Sequence, residues 1–226
     1  MAIQTALRSQ GFDPGPLDGI WGRATMAAVK EFQKRHGLAV DGVVDDATEG
    51  ALFAQSAALP DLSRFVWMSE ARRLRGVKEV EGPASNPTII DWAEGAGIDY
   101  KGDDVPWCGL FAAHCIGSTL PDEPLPQNPL GARNWARFGV PSEPVWGAVM
   151  VFWRGSRDGW QGHVGFYNGE DGTAYSVLGG NQSDSVNTTR IAKARLLEAR
   201  WPATAAHLRG ARVRTSATGA LSENEA

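Results

Sequence analysis

Two cysteines and four histidines hold the nucleophilic and basic chemistry open to this 226-residue chain. Cys108 follows Asp104-Val-Pro-Trp107 and opens an apolar run, Gly109-Leu-Phe-Ala-Ala-His-Cys-Ile116, of helical character. A thiol on the first turn of a helix meets unpaired N–H groups and the positive end of the dipole, which favour thiolate. A nucleophilic cysteine needs that setting and a structural one does not. The thiolate also needs a base within hydrogen-bond reach and a third group that orients the base. His36 ends a helix far upstream, and His207 lies in a tail rich in Ala, Ser and Thr. His114, six residues after Cys108, sits about 120° around the helix from the thiol. His163 remains. It opens a strand after Gly162, sharing a face with Gly165 and Tyr167 while Val164 and Phe166 take the other, and the small Gly165 leaves it room. The third group is expected from the next strand. Across a turn at 169–172, the start of one strand lies near the end of the other, which brings Asn181 to His163 as an amide acceptor. Gln182, Asp184 and Glu170 are weaker candidates. Trp107 and Gln182 flank this centre and are expected to contact substrate.

Cys115 is not a disulfide partner for Cys108. Seven residues along one helix separate them by about 10 Å, too far to bridge. It reads as a small buried residue. The cysteines and histidines do not make a zinc pattern, and no metal or other cofactor is expected. Asp99, Asp103 and Asp104 cluster ahead of the nucleophile. Their spacing is not that of an EF-hand, and they read as turn acids.

Hydrophobic residues make up 42% of the chain and charged residues 21%, the balance of a globular protein, and the net charge of −4 speaks against nucleic-acid binding. No window approaches the roughly 18 apolar residues of a membrane span, so no membrane insertion is expected. The first residues, Met1-Ala-Ile-Gln-Thr, lack the basic and apolar regions of a signal peptide. The expectation is synthesis in the cytoplasm, as a monomer.

The elements that position these residues fall into two blocks. Residues 2–54 carry an internal repeat: Leu17-Asp-Gly-Ile-Trp-Gly-Arg-Ala-Thr25 aligns with Val40-Asp-Gly-Val-Val-Asp-Asp-Ala-Thr48 at a spacing of 23. Each Asp-Gly reads as a tight turn. Helices are expected over 3–10, 23–36 and 47–55, the middle one with Met26, Val29, Phe32, Gln33 and His36 at helical spacing and Gly37 as its stop. Residues 56–64 read as a linker. From 65 to 204, helices at 64–75 and 88–96 precede the Cys108 helix. Then come Gly147-Ala-Val-Met-Val-Phe-Trp153, Gly162-His-Val-Gly-Phe-Tyr-Asn168, Thr173-Ala-Tyr-Ser-Val-Leu178, and further runs at 186–191 and 196–201. Helices followed by an antiparallel meander of about five strands define an α+β domain. Residues 205–226 lack periodicity and are expected to be disordered.

Two resemblances follow. Ile3-Gln4, Leu7, Gly11-Phe12, Pro16-Leu17-Asp18-Gly19, Gly22, Thr25, Ala28-Val29, Phe32-Gln33, Gly37-Leu38 and Asp41-Gly42 resemble the peptidoglycan-binding domain of the first type. It is a three-helix bundle, here spanning 1–55, and the resemblance implies wall binding near the Asp-Gly turns, with Asp18, Trp21, Gln33 and Asp41 as contacts. The order Pro106-Trp-Cys108, Gly162-His-Val164 and Gly179-Gly-Asn-Gln182 resembles the papain-like wall hydrolases of the NlpC and CHAP groups, over about residues 66–202. That likeness implies Cys108 as nucleophile, His163 as base and Asn181 as its orienter, acting on an amide of the peptidoglycan stem, cross-link or muramoyl–L-alanine bond. Many NlpC-type enzymes carry a tyrosine ahead of the cysteine, and Tyr100 is the candidate. Gly147-Ala148 departs from the Gly-Asp of many relatives. The whole reads as a phage endolysin that reaches the wall in the periplasm once the membrane is opened, with bacterial peptidoglycan as its partner. The alternatives are a catalytically silent wall-binding module and an autolysin or injected wall-degrading effector.

Overall fold

The computed structural model describes residues 2–54, 64–82, 84–215 and 219–222. The chain divides into two compact units, Met1–Leu59 and Pro60–Ala226. Of the linker expected at 56–64, all but Arg64 lies outside the described residues.

The N-terminal unit holds α1 (Ala2–Ser9), α2 (Arg23–Arg35) and α3 (Asp46–Ala54). Gly37, at φ 67°, takes the left-handed conformation that ends α2. Asp45 caps α3 by accepting from the Thr48 N–H at 2.8 Å. Leu7, Phe12, Val29, Phe32 and Leu52 meet in a small core. The internal repeat reappears as a duplicated hydrogen-bond hub. Gln4 Nε2 donates to Asp18 Oδ1 (3.1 Å), Ile20 O (3.1 Å) and Thr25 Oγ1 (3.3 Å), while its Oε1 accepts the Gly19 N–H (2.8 Å). Gln33 Nε2 donates to Asp41 Oδ1 (3.0 Å), Val43 O (2.8 Å) and Thr48 Oγ1 (3.1 Å), while its Oε1 accepts the Gly42 N–H (2.9 Å). A buried amide thus ties each Asp-Gly turn to the helix that follows it.

The C-terminal unit is a mixed α+β domain. Three helices, α4 (Val66–Arg73), α5 (Pro87–Gly95) and α6 (Cys108–Gly117), precede an antiparallel sheet. Its strands are β1 (Val140–Pro141), β2 (Val149–Trp153), β3 (Gly162–Glu170), β4 (Ala174–Gly179), β5 (Asn187–Ala192) and β6 (Leu196–Trp201), in the order β1-β6-β2-β3-β4-β5. Among the described residues there is one strand more than the expected five. β1 is two residues long, too short to show alternation, and pairs Val140 with Trp201 at the sheet edge. α6 is apolar on every side and packs against β3, α4 and α5, which is why nearly all of it is buried. Among the described residues no helix is long and apolar enough to cross a membrane.

The expectation of disorder from residue 205 does not hold through 215. The Ala211 carbonyl accepts from the Trp146 N–H at 2.9 Å, the Val213 carbonyl from the Glu170 N–H at 2.8 Å, and the Thr215 N–H donates to the Glu170 carbonyl at 2.9 Å. This segment satisfies backbone groups that the sheet leaves unpaired, a contribution that needs no side-chain periodicity and so leaves none to read. Residues 216–218 and 223–226 of that tail lie outside the described residues.

Candidate active site

The thiol stands on α6 and the imidazole on β3, two elements that pack against each other. Trp107, at φ −116° and ψ 14°, precedes the helix, and Cys108 is its first residue. The Cys108 sulfur lies where the backbone N–H groups of Val164 and Gly109 favour its thiolate, which sets it against the residue that follows His163. Cys108 is 4% exposed and His163 is completely buried. Burial pushes the Cys108 thiol above its ordinary value. The two N–H groups and the Arg154 charge pull the other way without overcoming it. The lowered thiol expected from the helix start is thus corrected: desolvation outweighs the N–H groups that face the sulfur.

The side chain that meets the His163 ring is Gln182, not Asn181. His163 Nε2 lies 3.0 Å from Gln182 Oε1. The Gln182 amide nitrogen donates to the carbonyls of Asn187 (2.7 Å) and Val177 (3.3 Å). Carbonyls only accept, so the NH₂ must face them and the amide oxygen must face the ring. Nε2 therefore carries the proton, and Nδ1 keeps the lone pair of a base. Asn181 is buried, with its Oδ1 unpartnered among the described residues and its backbone at φ 54°. That left-handed residue turns the chain out of the strand register after Gly179. A one-residue step exchanges the side chain that faces a neighbour, and it brings Gln182 to the ring.

Two glycines make the arrangement possible. A Cβ on Gly179 would stand 3.0 Å from His163 Nε2 and 2.9 Å from Gln182 Oε1. One on Gly180 would stand 2.6 Å from Phe111 Cβ and 2.7 Å from Trp107 Cζ3. The first gap admits the His–Gln pair, and the second lets the end of β4 lie on α6. Gly165 does not make room for His163 as expected. Its missing Cβ is the space taken by Val177 Cγ1, at 2.6 Å.

The structure places the other expected contact residues as follows. Trp107 is fully buried, donates to Glu79 Oε2 at 3.2 Å, and is core rather than substrate platform. Gln182 is 1% exposed with its amide committed, so it does not face substrate. Tyr100 donates its hydroxyl to the Val105 carbonyl at 2.7 Å, bracing the stretch ahead of Cys108, and burial drives its phenol upward. His114 turns away to Glu70 Oε1 at 2.9 Å and stacks on Trp92. Asp103, one of the turn acids, is buried and accepts the Val80 and Asn86 N–H groups. In the N-terminal unit, the Ile20 N–H and Gln4 hold Asp18 below the usual carboxylate range, and the Val43 N–H and Gln33 do the same for Asp41. These acids and the buried Gln33 shape turns. Trp21, half exposed, is the aromatic left at the surface beside them, near the exposed Ile20 and Met26.

A cleft of about 300 Å³ opens beside the thiol, and the sequence reading did not anticipate its lining. Cys108, Arg133, Arg154, Trp160, Gln161 and Gly162 face it. Arg133 clamps the loop between β2 and β3, donating to the carbonyls of Gln161 (2.7 Å), Arg157 (2.9 Å) and Ser156 (2.9 Å). Lone arginines in a polar loop give no periodic signal. The tryptophan of Asp158-Gly-Trp160 was the one available cue.

Residues 1–52 match the family model of a peptidoglycan binding domain. No curated protein matches the chain, and no solved structure does. The family match supports a cell-wall-binding module at the N-terminus, with peptidoglycan as its partner.

Proposed function

We propose that the chain is a modular peptidoglycan hydrolase whose C-terminal unit is a papain-like cysteine peptidase or amidase. The observation that carries the reading is the 3.0 Å His163–Gln182 contact, with an amide orientation that leaves Nδ1 as a base next to the residue whose N–H meets the Cys108 sulfur. His163 takes the thiol proton, and the sulfur attacks the amide carbonyl. The oxyanion is met by backbone N–H at the start of α6. Collapse forms a thioester, with His163 passing its proton to the departing amine. Water, deprotonated by the same ring, then releases the acid and restores the thiol. The wall-binding unit keeps the enzyme on its polymer, so that each encounter is a local one. The biological setting that fits is phage-type lysis from within, on a wall reached after the membrane is opened.

A second reading, a silent wall-binding protein, draws on the burial of Cys108 and its raised thiol. Turbidity of a purified peptidoglycan suspension separates the two. The parent clears it and Cys108→Ala does not, while both sediment with the wall. If the parent sediments without clearing, the silent reading holds.

A further inference from the structure

Tryptophan is the side chain this protein hides most thoroughly, and Trp160 is the exception. Six of the nine tryptophans lie in the C-terminal core, and Trp153 is partly covered. Trp21, in the wall-binding unit, is half exposed, and Trp160, at 86%, is the most exposed large apolar side chain among the described residues. An indole left in water forgoes the burial that draws such residues inward. Trp160 stands on the same cleft of about 300 Å³ that Cys108 lines. The walls of that cleft are held in shape. On one side, a Cβ on Gly109 would collide with the Pro129 and Leu130 carbonyls, so glycine lets the 129–130 backbone lie against the start of α6. Trp135 Nε1 donates to the Pro129 carbonyl and Asn134 Nδ2 to the Asn128 carbonyl, both at 2.8 Å. On the other side is the loop between β2 and β3, whose Ser156, Arg157 and Gln161 carbonyls accept from the Arg133 guanidinium. The Gly159 N–H donates to the Ser156 carbonyl at 3.2 Å, closing a turn directly before Trp160. Arg133 thus ties the two walls together and fixes the backbone on either side of the indole.

Peptidoglycan is the partner indicated by the match of residues 1–52. It offers an indole one broad apolar surface, the axial C–H face of a pyranose, whereas the stem residues next to the glycan are small or charged. The amides of Asn134 and Gln161 line the same cleft and suit the hydroxyl and acetamido groups of such a ring, and no Asp or Glu is among the described lining residues. Resting on the hydrolase reading above, we infer that Trp160 is a stacking platform for a sugar ring of the glycan strand. With one ring on the indole, a cleft of this size leaves the thiol at the glycan end of the stem. The enzyme therefore takes amides still attached to sugar and turns over sugar-free stems poorly.

The test uses the full chain and two soluble fragments with the same stem, a disaccharide–tetrapeptide and an N-lactyl tetrapeptide, which keeps every stem amide and lacks the sugar. The parent hydrolyses the first with kcat/KM on the order of 10-fold above the second, the size of one aromatic contact. Trp160→Ala brings that ratio to within about threefold of one at an unchanged melting temperature, and Trp160→Phe, with a smaller face, falls between. A parent ratio near one, or a ratio that survives in Trp160→Ala, overturns the inference. So does a parent that releases amines from whole peptidoglycan yet cleaves neither fragment, an outcome that leaves the hydrolase reading standing. If no amine is released from whole peptidoglycan, the hydrolase reading fails separately. Calorimetry then decides the platform: binding of the sugar-bearing fragment that Trp160→Ala weakens by about tenfold supports it, and binding that Trp160→Ala leaves unchanged overturns it.

Discussion

An imidazole serves as a base only if one ring nitrogen keeps its lone pair, and the Gln182 amide arranges that here by holding the Nε2 proton. Replacing Gln182 by Ala frees the ring to take the other tautomer and should lower kcat/KM by about 10²-fold or more. Asn181→Ala should cost far less, since its Oδ1 accepts no hydrogen bond among the described residues. Steady-state rates on soluble fragments check both, and equal losses would return the role to Asn181. The thiol makes a second prediction. Burial holds it above its ordinary value, so the thiolate is the minor form at neutral pH and turnover should climb as pH rises. Arg154 pulls the thiol down, so Arg154→Gln should move the rising limb to higher pH, read from a pH–rate profile. That Cys108 opens a helix and His163 lies at the start of a strand packed on it was legible in the residues and their order. The residue that meets the imidazole was legible only to within one position, because nothing in Gly179-Gly-Asn-Gln182 announces that Asn181 adopts φ 54° and turns the chain.

The elements that hold this centre were easier to read than the contacts between them. Periodicity located all three helices of the N-terminal unit to within a residue or so. It could not show what Gln4 and Gln33 do, because their separations from the paired Asp-Gly turns differ while those turns repeat at a spacing of 23. Only in space do the two amides take the same four partners. The consequence is measurable. Gln33→Ala leaves the Gly42 N–H, the Val43 carbonyl and the Thr48 hydroxyl without their partner, a loss of about 1–3 kcal/mol. A unit of this size has little stability to spare. Its melting transition should fall by several degrees and retention on peptidoglycan should weaken, while hydrolysis of soluble fragments is unaffected. Unchanged melting would show that the hub is dispensable. In the C-terminal unit, the antiparallel run β2–β5 followed from short β-rich runs, but the return of β6 to pair with β2 instead of β5 departs from the expected meander. The two-residue β1 and the 211–215 segment escaped because they are held by backbone hydrogen bonds.

At the scale of the molecule, two units with separate cores divide the work, one matching a wall-binding family and one carrying the cleft and thiol. The C-terminal unit also carries an acid-sensitive tie between α4 and α6. Glu70 accepts from Arg73 and His114, and these partners hold its carboxyl at about 2 against an ordinary 4.5. A depressed carboxyl stabilises the fold above its unfolded value, so this contribution is complete above 4.5 and is lost as pH falls toward 2. Thermal melts across that window should show a steep decline in the parent and a shallower one in Glu70→Gln. Parallel slopes would remove Glu70 from acid unfolding.

The central claim is that Cys108 opens an amide of peptidoglycan. Its most direct test is mass spectrometry, with amino-group labelling, of the soluble products released from purified peptidoglycan by the full chain. The account predicts new amine and carboxyl termini in equal amounts with the parent, and none with Cys108→Ala at the same degree of wall binding. The same products from Cys108→Ala would contradict it.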